Sequence, residues 1–337
     1  MQNDTRIAYD QYVNQIAALS GVPDASRKFN VAPSVQQKLE TRMQESSDFL
    51  SRINIVGVEE MKGEKVGLGV SSPIASRTNT ATGDRETTDP SSLTPASYEC
   101  VQTNFDTHIS YAKLDAWAKF PDFQTRVRDA IIRRQALDRI MIGWNGTSAA
   151  AQTNRANNPL LEDVNIGWLQ KLRTDAPERV MNSGATDGKI TIGAAGDYKS
   201  LDALVYDLRY SLLASWARND TELVAIVGDR LLHDKYFPLV NADHAPTEQL
   251  ARDIIMSTKR LGGLPAVQVP FFIPGGVLVT RLDNLSIYYQ NGKRRRAIID
   301  NPKRDRIENF ESSNDAYVVE DYDYAAMAEN IEILPEA

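Results

Sequence analysis

The chain has 337 residues, of which 42% are hydrophobic and 25% are charged, and its formal net charge is −7. These proportions are typical of a globular protein with room for two or more folding units. The negative charge argues against generic binding to a phosphate backbone. The sequence contains no run of about eighteen apolar residues, so no transmembrane helix is predicted. A single cysteine, Cys100, excludes an intramolecular disulfide framework.

Apolar residues at helical spacing predict a first helix over residues 2–19, and Gly21-Val22-Pro23 ends it. The residues from Arg27 to Asn30 are basic and aromatic and come shortly before a proline, which predicts an exposed, extended linker. A second helix is expected from Ser34 to about Arg52. The first helix is therefore predicted to be separable from the rest of the chain.

A long polar segment separates two extended regions. Strands are predicted over 53–58 and 65–70, around a turn at 61–64. From Ser71 to Ser97 the chain has almost no apolar residues, and the alternating pattern then returns over 98–111. A projecting hairpin arm of this kind cannot bury enough apolar surface to order itself. It needs another surface to lie on, so the sequence indicates a protein that assembles.

The longest predicted helix runs from about Asp122 to Trp144 and carries one apolar stripe. Beyond it, a clear amphipathic helix over 201–216 is mixed with short apolar strands, and this mixture predicts a compact α+β domain over about 190–300. Residues 317–319 and 331–333 are the last candidates for strands.

Charge is distributed unevenly near the end of the chain. The basic run Lys293-Arg294-Arg295-Arg296 is followed by a segment, 305–337, in which ten acids are opposed only by Arg306. Two interpretations stay open: two solvated faces of one subunit, or complementary contact surfaces between copies of the chain. Under the second interpretation the candidate intersubunit contacts are Arg294, Arg295, Glu308 and Glu311.

The sequence offers little catalytic equipment. His108, His233 and His244 are not spaced as metal ligands, and one cysteine cannot complete a thiolate zinc site. The loop Gly193–Asp197 lacks the lysine and the glycine spacing of a phosphate-binding loop, so Asp197 is interpreted as a helix cap. The acidic run 320–323 lacks the glycine and the spacing of a calcium loop. No catalytic, metal-binding or cofactor-binding residue is therefore predicted.

Long stretches of the chain resemble the major capsid proteins of P2-like tailed bacteriophages. The resemblance covers nearly the whole chain. It is carried by the segments MQESSDFLSRINIV (43–56), EMKGEKVGLGV (60–70), DFQTRVRDAIIRRQALDRIM (122–141), VNIGWLQKLRTDAPERVM (164–181), GDYKSLDALVYD (196–207), HDKYFPLVN (233–241), NLSIYYQ (284–290) and NPKRDRIENFESSNDAYVVEDY (301–322).

The resemblance implies the α+β, HK97-type phage capsid fold. The implied organisation is an N-terminal assembly segment that is cleaved (1–29), an N-terminal arm (30–56), an extended loop (57–111), a peripheral domain with a long spine helix (112–189), an axial domain (190–300) and a return to the peripheral domain (301–337). In such families a phage protease trims the N-terminus. The cut is expected between Phe29 and Asn30.

The function that the resemblance implies is that of a non-enzymatic shell subunit. Copies would assemble as pentamers and hexamers into the icosahedral shell that encloses the double-stranded DNA of a tailed bacteriophage or prophage, without sequence-specific DNA binding, cofactors or a membrane. The implied partners are an internal scaffolding protein, a maturation protease and a portal protein at one vertex. Assembly would take place in the bacterial host cytoplasm and the product would be the virion capsid.

Two other classes of function stay open from the residues alone. A nucleic-acid-binding module could use Lys293–Arg296 together with the arginines of the long helix, which are Arg126, Arg128, Arg133, Arg134 and Arg139. A hydrolase could use two carboxylates with separated pKa values.

Overall fold

The computed structural model describes residues 1–66, 75–85, 87, 95–117, 123–241 and 259–334. Within them the chain forms eight α-helices and seventeen β-strands. The helices are α1 Asn3–Ser20, α2 Pro33–Glu45, α3 Asp48–Arg52, α4 Tyr111–Trp117, α5 Phe123–Asn145, α6 Trp168–Asp175, α7 Leu201–Asp207 and α8 Asp229–Asn241. The strands are β1 Phe29–Asn30, β2 Asn54–Val58, β3 Lys62–Val66, β4 Pro95–Glu99, β5 Val101–Asn104, β6 Thr107–Ser110, β7 Val180–Met181, β8 Ile190–Ile192, β9 Val224–Val227, β10 Arg260–Leu261, β11 Leu264–Val267, β12 Val277–Thr280, β13 Leu285–Gln290, β14 Arg295–Asn301, β15 Arg306–Val319, β16 Ala326–Ala328 and β17 Ile331–Ile333.

The larger sheet is organised around β15, which is 14 residues long. Its strand order is β1-β14-β15-β13-β2, and β5 and β6 also pair with β15. The pairing of β2 with β13 is parallel, whereas the other pairings in this sheet are antiparallel. Strand β15 therefore joins segments from both ends of the chain into one sheet.

A second sheet has six strands in the order β10-β11-β9-β12-β16-β7, and β8 and β17 form a small parallel pair. All four residues of both β9 and β12 are buried, as expected for strands covered on both faces. An apolar cluster beside them includes Leu204, Val205 and Leu208 of α7 and the turn that follows it.

The largest apolar cluster contains the aromatic side chains of Phe49, Trp144 and Trp168. The two tryptophan rings are 4.8 Å apart and meet edge to face, and the indole N–H of Trp168 donates a hydrogen bond to the Ser286 carbonyl oxygen at 3.0 Å. Helix α5 approaches Trp168 so closely that a Cβ atom on Gly143 would lie 2.2 Å from the indole ring. Glycine at this position therefore permits α5 and α6 to pack.

The long helix predicted over 122–144 is confirmed as α5. Three other predictions differ from the structure. The helix expected over 34–52 is divided into α2 and α3, and the helix expected over 201–216 ends in a π-helical turn over Leu208–Leu212. The residues expected as a turn at 61–64 belong largely to β3, which begins at Lys62.

The sheets also divide the chain differently from the predicted units. In the predicted unit over 190–300, β9 to β12 belong to the six-stranded sheet, but β13 and β14 belong to the seven-stranded sheet. The segment over 301–337 is likewise divided, because β15 lies in one sheet and β16 in the other. The reason is the hydrogen bonding of β15. Its residues 306–312 pair with β14, and its residues 315–319 pair with β13.

Candidate assembly and processing sites

The described residues contain no constellation suited to metal chemistry. Nowhere in these ranges do three or more His, Cys, Asp or Glu side chains come together as metal ligands. Within the same ranges, no helix is both long enough and apolar enough to cross a membrane. His108 is exposed on β6 and His233 lies beside Asp234 on α8, whereas His244 falls outside the described residues. The Cys100 thiol is buried, and burial raises its pKa to about 12.

Asp197 has a different role from the predicted helix cap. Its carboxylate accepts hydrogen bonds from the backbone N–H groups of Ala185 and Thr191 and from the Thr191 hydroxyl. These bonds lower the pKa of Asp197 to about 2. The N-cap of α7 is Ser200, whose hydroxyl accepts from the N–H of Ala203. Asp197 therefore ties the loop between β8 and α7 to β8 and to the connection that precedes β8.

A buried group of polar side chains, here called the charge cluster, joins α2, α5, β15 and the residue just before β14. No member is more than 5% exposed. Its members are Glu40, Gln135, Arg139, Arg294, Glu311 and Asp315. With two arginines and three acids, the ionised cluster carries one negative charge more than positive.

Glu40 is the member that both arginines share. Arg294 donates to one Glu40 carboxylate oxygen at 2.7 Å and to Glu311 through its Nε atom at 2.7 Å. Arg139 donates to both Glu40 oxygens and, at 3.1 Å, to both oxygens of Asp315. Gln135 completes the arrangement, because it accepts from Arg294 and donates to Glu311. Helix α2 is therefore held by charge-assisted bonds to α5 and to the strand region at β14.

The pKa shifts follow from these contacts. Burial opposes the ionised form of Glu311, but Arg294 and Arg296 outweigh burial and lower the Glu311 pKa to about 2. Burial raises the pKa of Asp315, and Arg139 only partly opposes that effect. Burial also opposes the charge on Arg139, but Asp315 and Glu40 raise its pKa above the ordinary value. Both arginines of the cluster therefore stay charged.

This geometry corrects the expectation for two of the four candidate intersubunit contacts. Arg294 and Glu311 are buried and pair with each other inside one chain, so neither side chain faces another copy. The reason is that burial of an arginine is tolerated when carboxylates satisfy it, a condition that the linear sequence does not display. Arg295 and Glu308 are half-buried, and Glu308 accepts from Arg306 at 2.7 Å.

The sequence predicted that the N-terminal helix is separable from the body, but in the structure the helix packs against the body. Ile16 and Ala17 of α1 lie in one buried apolar cluster with Leu114, Ile298 and Ile307. Arg6 donates to the Asp300 carboxylate at 2.5 Å, and the N–H of Gln2 donates to Asp115 at 2.9 Å. The helix ends at Gly21, whose positive φ of 65° closes it and turns the chain toward the sheet.

The expected linker is part of the sheet. Phe29 and Asn30 form β1 and pair antiparallel with Arg296 and Arg295 of β14. Phe29 is buried, whereas the two residues before it, Arg27 and Lys28, are exposed. The peptide bond proposed for processing is therefore flanked by exposed basic residues but lies within a paired strand.

The base of the predicted extended loop is a two-stranded hairpin, β3 and β4, paired in register from Lys62 opposite Glu99 to Val66 opposite Pro95. Tyr98 packs edge-on against Tyr288 of β13, with ring centres 5.1 Å apart. The described residues 75–85 are all exposed. Residues 67–74, 86 and 88–94 of the predicted loop lie outside the described residues.

Comparison with known proteins gives one consistent answer. A family model for "Phage major capsid protein, P2 family" matches residues 8–331. The chain is 52% identical to the "Capsid proteins" of Escherichia phage P2 over 99% of this chain and 96% of the relative. It is 43% identical to the "Major capsid protein" of Serratia phage KSP20, over 98% of this chain and 97% of the relative.

Solved structures agree with the family match. A chain of the satellite phage P4 procapsid that includes the size determination (Sid) protein superposes with a TM-score of 0.83 and 50% identity, covering 99% of both chains. The capsid of the empty GTA particle superposes with a TM-score of 0.52 at 16% identity, covering 85% of this chain and 90% of that one. The second likeness shows the fold alone.

Proposed function

The chain belongs to the P2 family of phage major capsid proteins, and from this membership we propose how its copies build a particle. It is a structural subunit with the HK97-type α+β fold, it forms the capsid shell of a virion, and it is not an enzyme. The proposal adds that its copies group as pentamers and hexamers, that the shell is icosahedral, and that assembly takes place in the host cytoplasm. The observation that carries the proposal is 52% identity to the phage P2 capsid protein over 99% of the chain.

Three further partners belong to the proposal. An internal scaffolding protein would direct curvature, a portal protein would occupy one vertex, and a maturation protease would cut the chain between Phe29 and Asn30. Arg27 and Lys28, directly before this bond, are exposed, whereas Phe29 is buried in β1, so the cut requires β1 to open. Mass spectrometry of subunits from mature particles tests it: a chain beginning at Asn30 is expected, and an intact N-terminus in mature particles would contradict processing.

Electron microscopy tests the assembly itself. The chain is expressed alone and together with the scaffolding gene of its own phage, and the purified products are imaged by negative stain. Closed shells of uniform diameter with the scaffold are the expected result. Subunits that stay monomeric under both conditions would overturn the proposal.

The arginines of α5 give little support to the nucleic-acid alternative. Arg139 is buried in the charge cluster, Arg134 pairs with Asp138 at 2.6 Å and Arg128 pairs with Asp129 at 2.9 Å. A basic footprint needs charges that are available to phosphates, and these three are engaged within the chain.

A further inference from the structure

The edge of the seven-stranded sheet at β14 is closed by the segment proposed for removal. The N–H of Ile298 donates to the Ala25 carbonyl at 3.0 Å, and the N–H of Val31 donates to the Arg294 carbonyl at 2.8 Å. Between these bonds β1 pairs with Arg295 and Arg296. Removal of residues 1–29 would take away Ala25 and Phe29, the partners of the Ile298 N–H and of Arg296, whereas Asn30 and Val31 would stay at Arg295 and Arg294. An unpaired sheet edge of this kind is a template for a strand of another chain.

The same segment covers an apolar surface. Eight buried residues form one cluster, and four of them, Ile16, Ala17, Ala25 and Phe29, belong to the removed segment. The part of the chain that remains contributes Val31, Leu114, Ile298 and Ile307. Without residues 1–29 these side chains would face solvent, at a cost proportional to the apolar area that becomes exposed.

Two carboxylates of the body, those of Asp115 and Asp300, also lie under the N-terminal segment. Arg6 donates to Asp300, and Gln2 donates to Asp115, so both carboxylates are engaged by the N-terminal segment. Its removal would leave two acids beside the newly exposed apolar strip. The opposite face of β14 and β15 already carries the exposed apolar side chains of Ile299 and Phe310. This corner of the sheet would then be apolar on both faces.

We propose that residues 1–29 are a removable cover for the β14 edge, and that their removal opens this edge to an extended segment of a neighbouring copy of the chain. The inference rests on the proposed processing at Phe29–Asn30. A second copy is the occupant because the shell packs copies of this chain side by side, and because main-chain pairing at a sheet edge needs an extended segment. A basic residue in that segment would replace Arg6 at Asp300.

A cut that does not depend on the phage protease separates this inference from the proposed processing. A recognition site for a site-specific protease is inserted between the exposed residues Ser26 and Arg27 of the full-length chain. After cleavage the released fragment is removed by gel filtration, and its absence is checked by intact mass. Hydrogen exchange is then followed in peptides that cover β14.

Three states are compared. Exchange at Ile298 is expected to be slow in the uncut subunit, about tenfold or more faster in the cut free subunit, and slow again when cut subunits are in shells. Equal exchange in the uncut and cut free subunits would show that residues 1–26, which include the Ala25 partner of Ile298, do not protect the edge. Fast exchange in cut, assembled subunits would show that no neighbouring copy takes it. Either result overturns the inference.

A second measurement uses the intact chain. Chymotrypsin cleaves after aromatic residues, and Phe29 must leave β1 before the enzyme can bind it. Asp300→Asn weakens the attachment of Arg6, so cleavage after Phe29 is expected to be about fivefold faster than in the unmodified chain, as local opening becomes more frequent. The matched control is Asp84→Asn, which makes the same change at an exposed position outside residues 1–29 and should not change the rate. Equal rates for Asp300→Asn and the unmodified chain would contradict the role of the cover.

Discussion

The Arg294 guanidinium lies 2.6 Å from the Glu311 carboxylate, and both side chains are buried inside the same chain. Their contact joins β15 to the residue just before β14, and Glu40 joins the same arginine to α2. The interior of this subunit thus contains an ion network where its sequence suggested a surface. Removing one member of such a network leaves an uncompensated buried charge.

Arg294→Ala is therefore expected to destabilise the free subunit by about 3–5 kcal/mol. The mutation removes the partner of Glu311 and one of the two partners of Glu40. Urea unfolding followed by circular dichroism measures the effect. The matched control is Arg304→Ala, at an exposed position in the turn between β14 and β15, which should stay within about 0.5 kcal/mol of the unmodified chain.

The charge cluster also predicts a dependence of stability on pH. The Glu311 pKa is about 2 in the folded chain and about 4.3 in an unfolded one. A lowered folded pKa means that the unfolded chain binds the proton first, so this contribution is present above about pH 4.3 and is lost as the pH falls toward about 2. Asp315 acts in the opposite direction, because burial raises its pKa.

Glu311→Gln isolates the contribution of Glu311. The variant should be less stable at neutral pH, and its difference from the unmodified chain should narrow by up to about 3 kcal/mol as the pH falls from about 5 to about 2. Urea unfolding at a series of pH values checks this. A difference that stays constant over this interval would show that Glu311 does not titrate with a lowered pKa.

Gly143→Ala should destabilise the subunit, although alanine is the better helix former by about 1 kcal/mol. The added methyl group would lie 2.2 Å from the Trp168 ring, and overpacking of this kind costs about 1–3 kcal/mol. The change in melting temperature shows directly whether Gly143→Ala is less or more stable than the unmodified chain. Gly83→Ala is the control, since nothing lies within 4 Å of a Cβ atom at that position, and a stabilised Gly143→Ala chain would contradict the close packing of α5 on α6.

Arg295 and Glu308 stay candidates for contacts between copies. Arg295→Glu is expected to reduce assembly while the free subunit stays folded, because the residue is half-buried and charge complementarity sets the register of partners. Size-exclusion chromatography measures assembly and circular dichroism measures folding. Normal shells from this variant would remove Arg295 from the interface.

Deletion of residues 76–92 should separate assembly from folding. The described part of this segment is exposed, so the free subunit should lose only about 1 kcal/mol or less, which is the scale of surface changes. Shells should nevertheless fail to form, because the projecting loop is expected to make its contacts with other subunits. Electron microscopy of the deletion variant together with thermal unfolding gives both results, and normal particles would contradict this role.

Periodicity was sufficient to predict α5, and the resemblance of long segments was sufficient to predict the fold and the capsid function, which the family match confirms. Periodicity failed to predict β15, of which only residues 317–319 were expected as a strand. The reason is chemical: Asn309, Glu311 and Asp315 are buried in that strand, but polar residues in a sequence are ordinarily interpreted as exposed. The positions of these three residues, two or four apart, were the available signal for a strand with one buried face. The many acids in the segment instead favoured its interpretation as a solvated surface.

The position of α1 could not be obtained from the sequence for a related reason. Its apolar spacing predicted a helix but not the surface that it packs on, and two residues of that spacing, Ile7 and Leu19, are exposed. What fixes the helix is distant in sequence: Asp115, Asp300 and the edge of β14. Such partners are visible only when the chain is folded.

The pairing of β2 with β13 has a consequence for how the protein is made. Asn54 and Ser286 are neighbours in the sheet, yet at a synthesis rate of about 5–20 residues per second they leave the ribosome roughly 10 to 50 s apart. During that interval β2 lacks its partner strand β13, and pairing over such separations is slow and exposes the chain to aggregation. A ribosome that stalls before β15 is complete should therefore release an insoluble fragment, and only full-length chains should reach the pool from which shells are built.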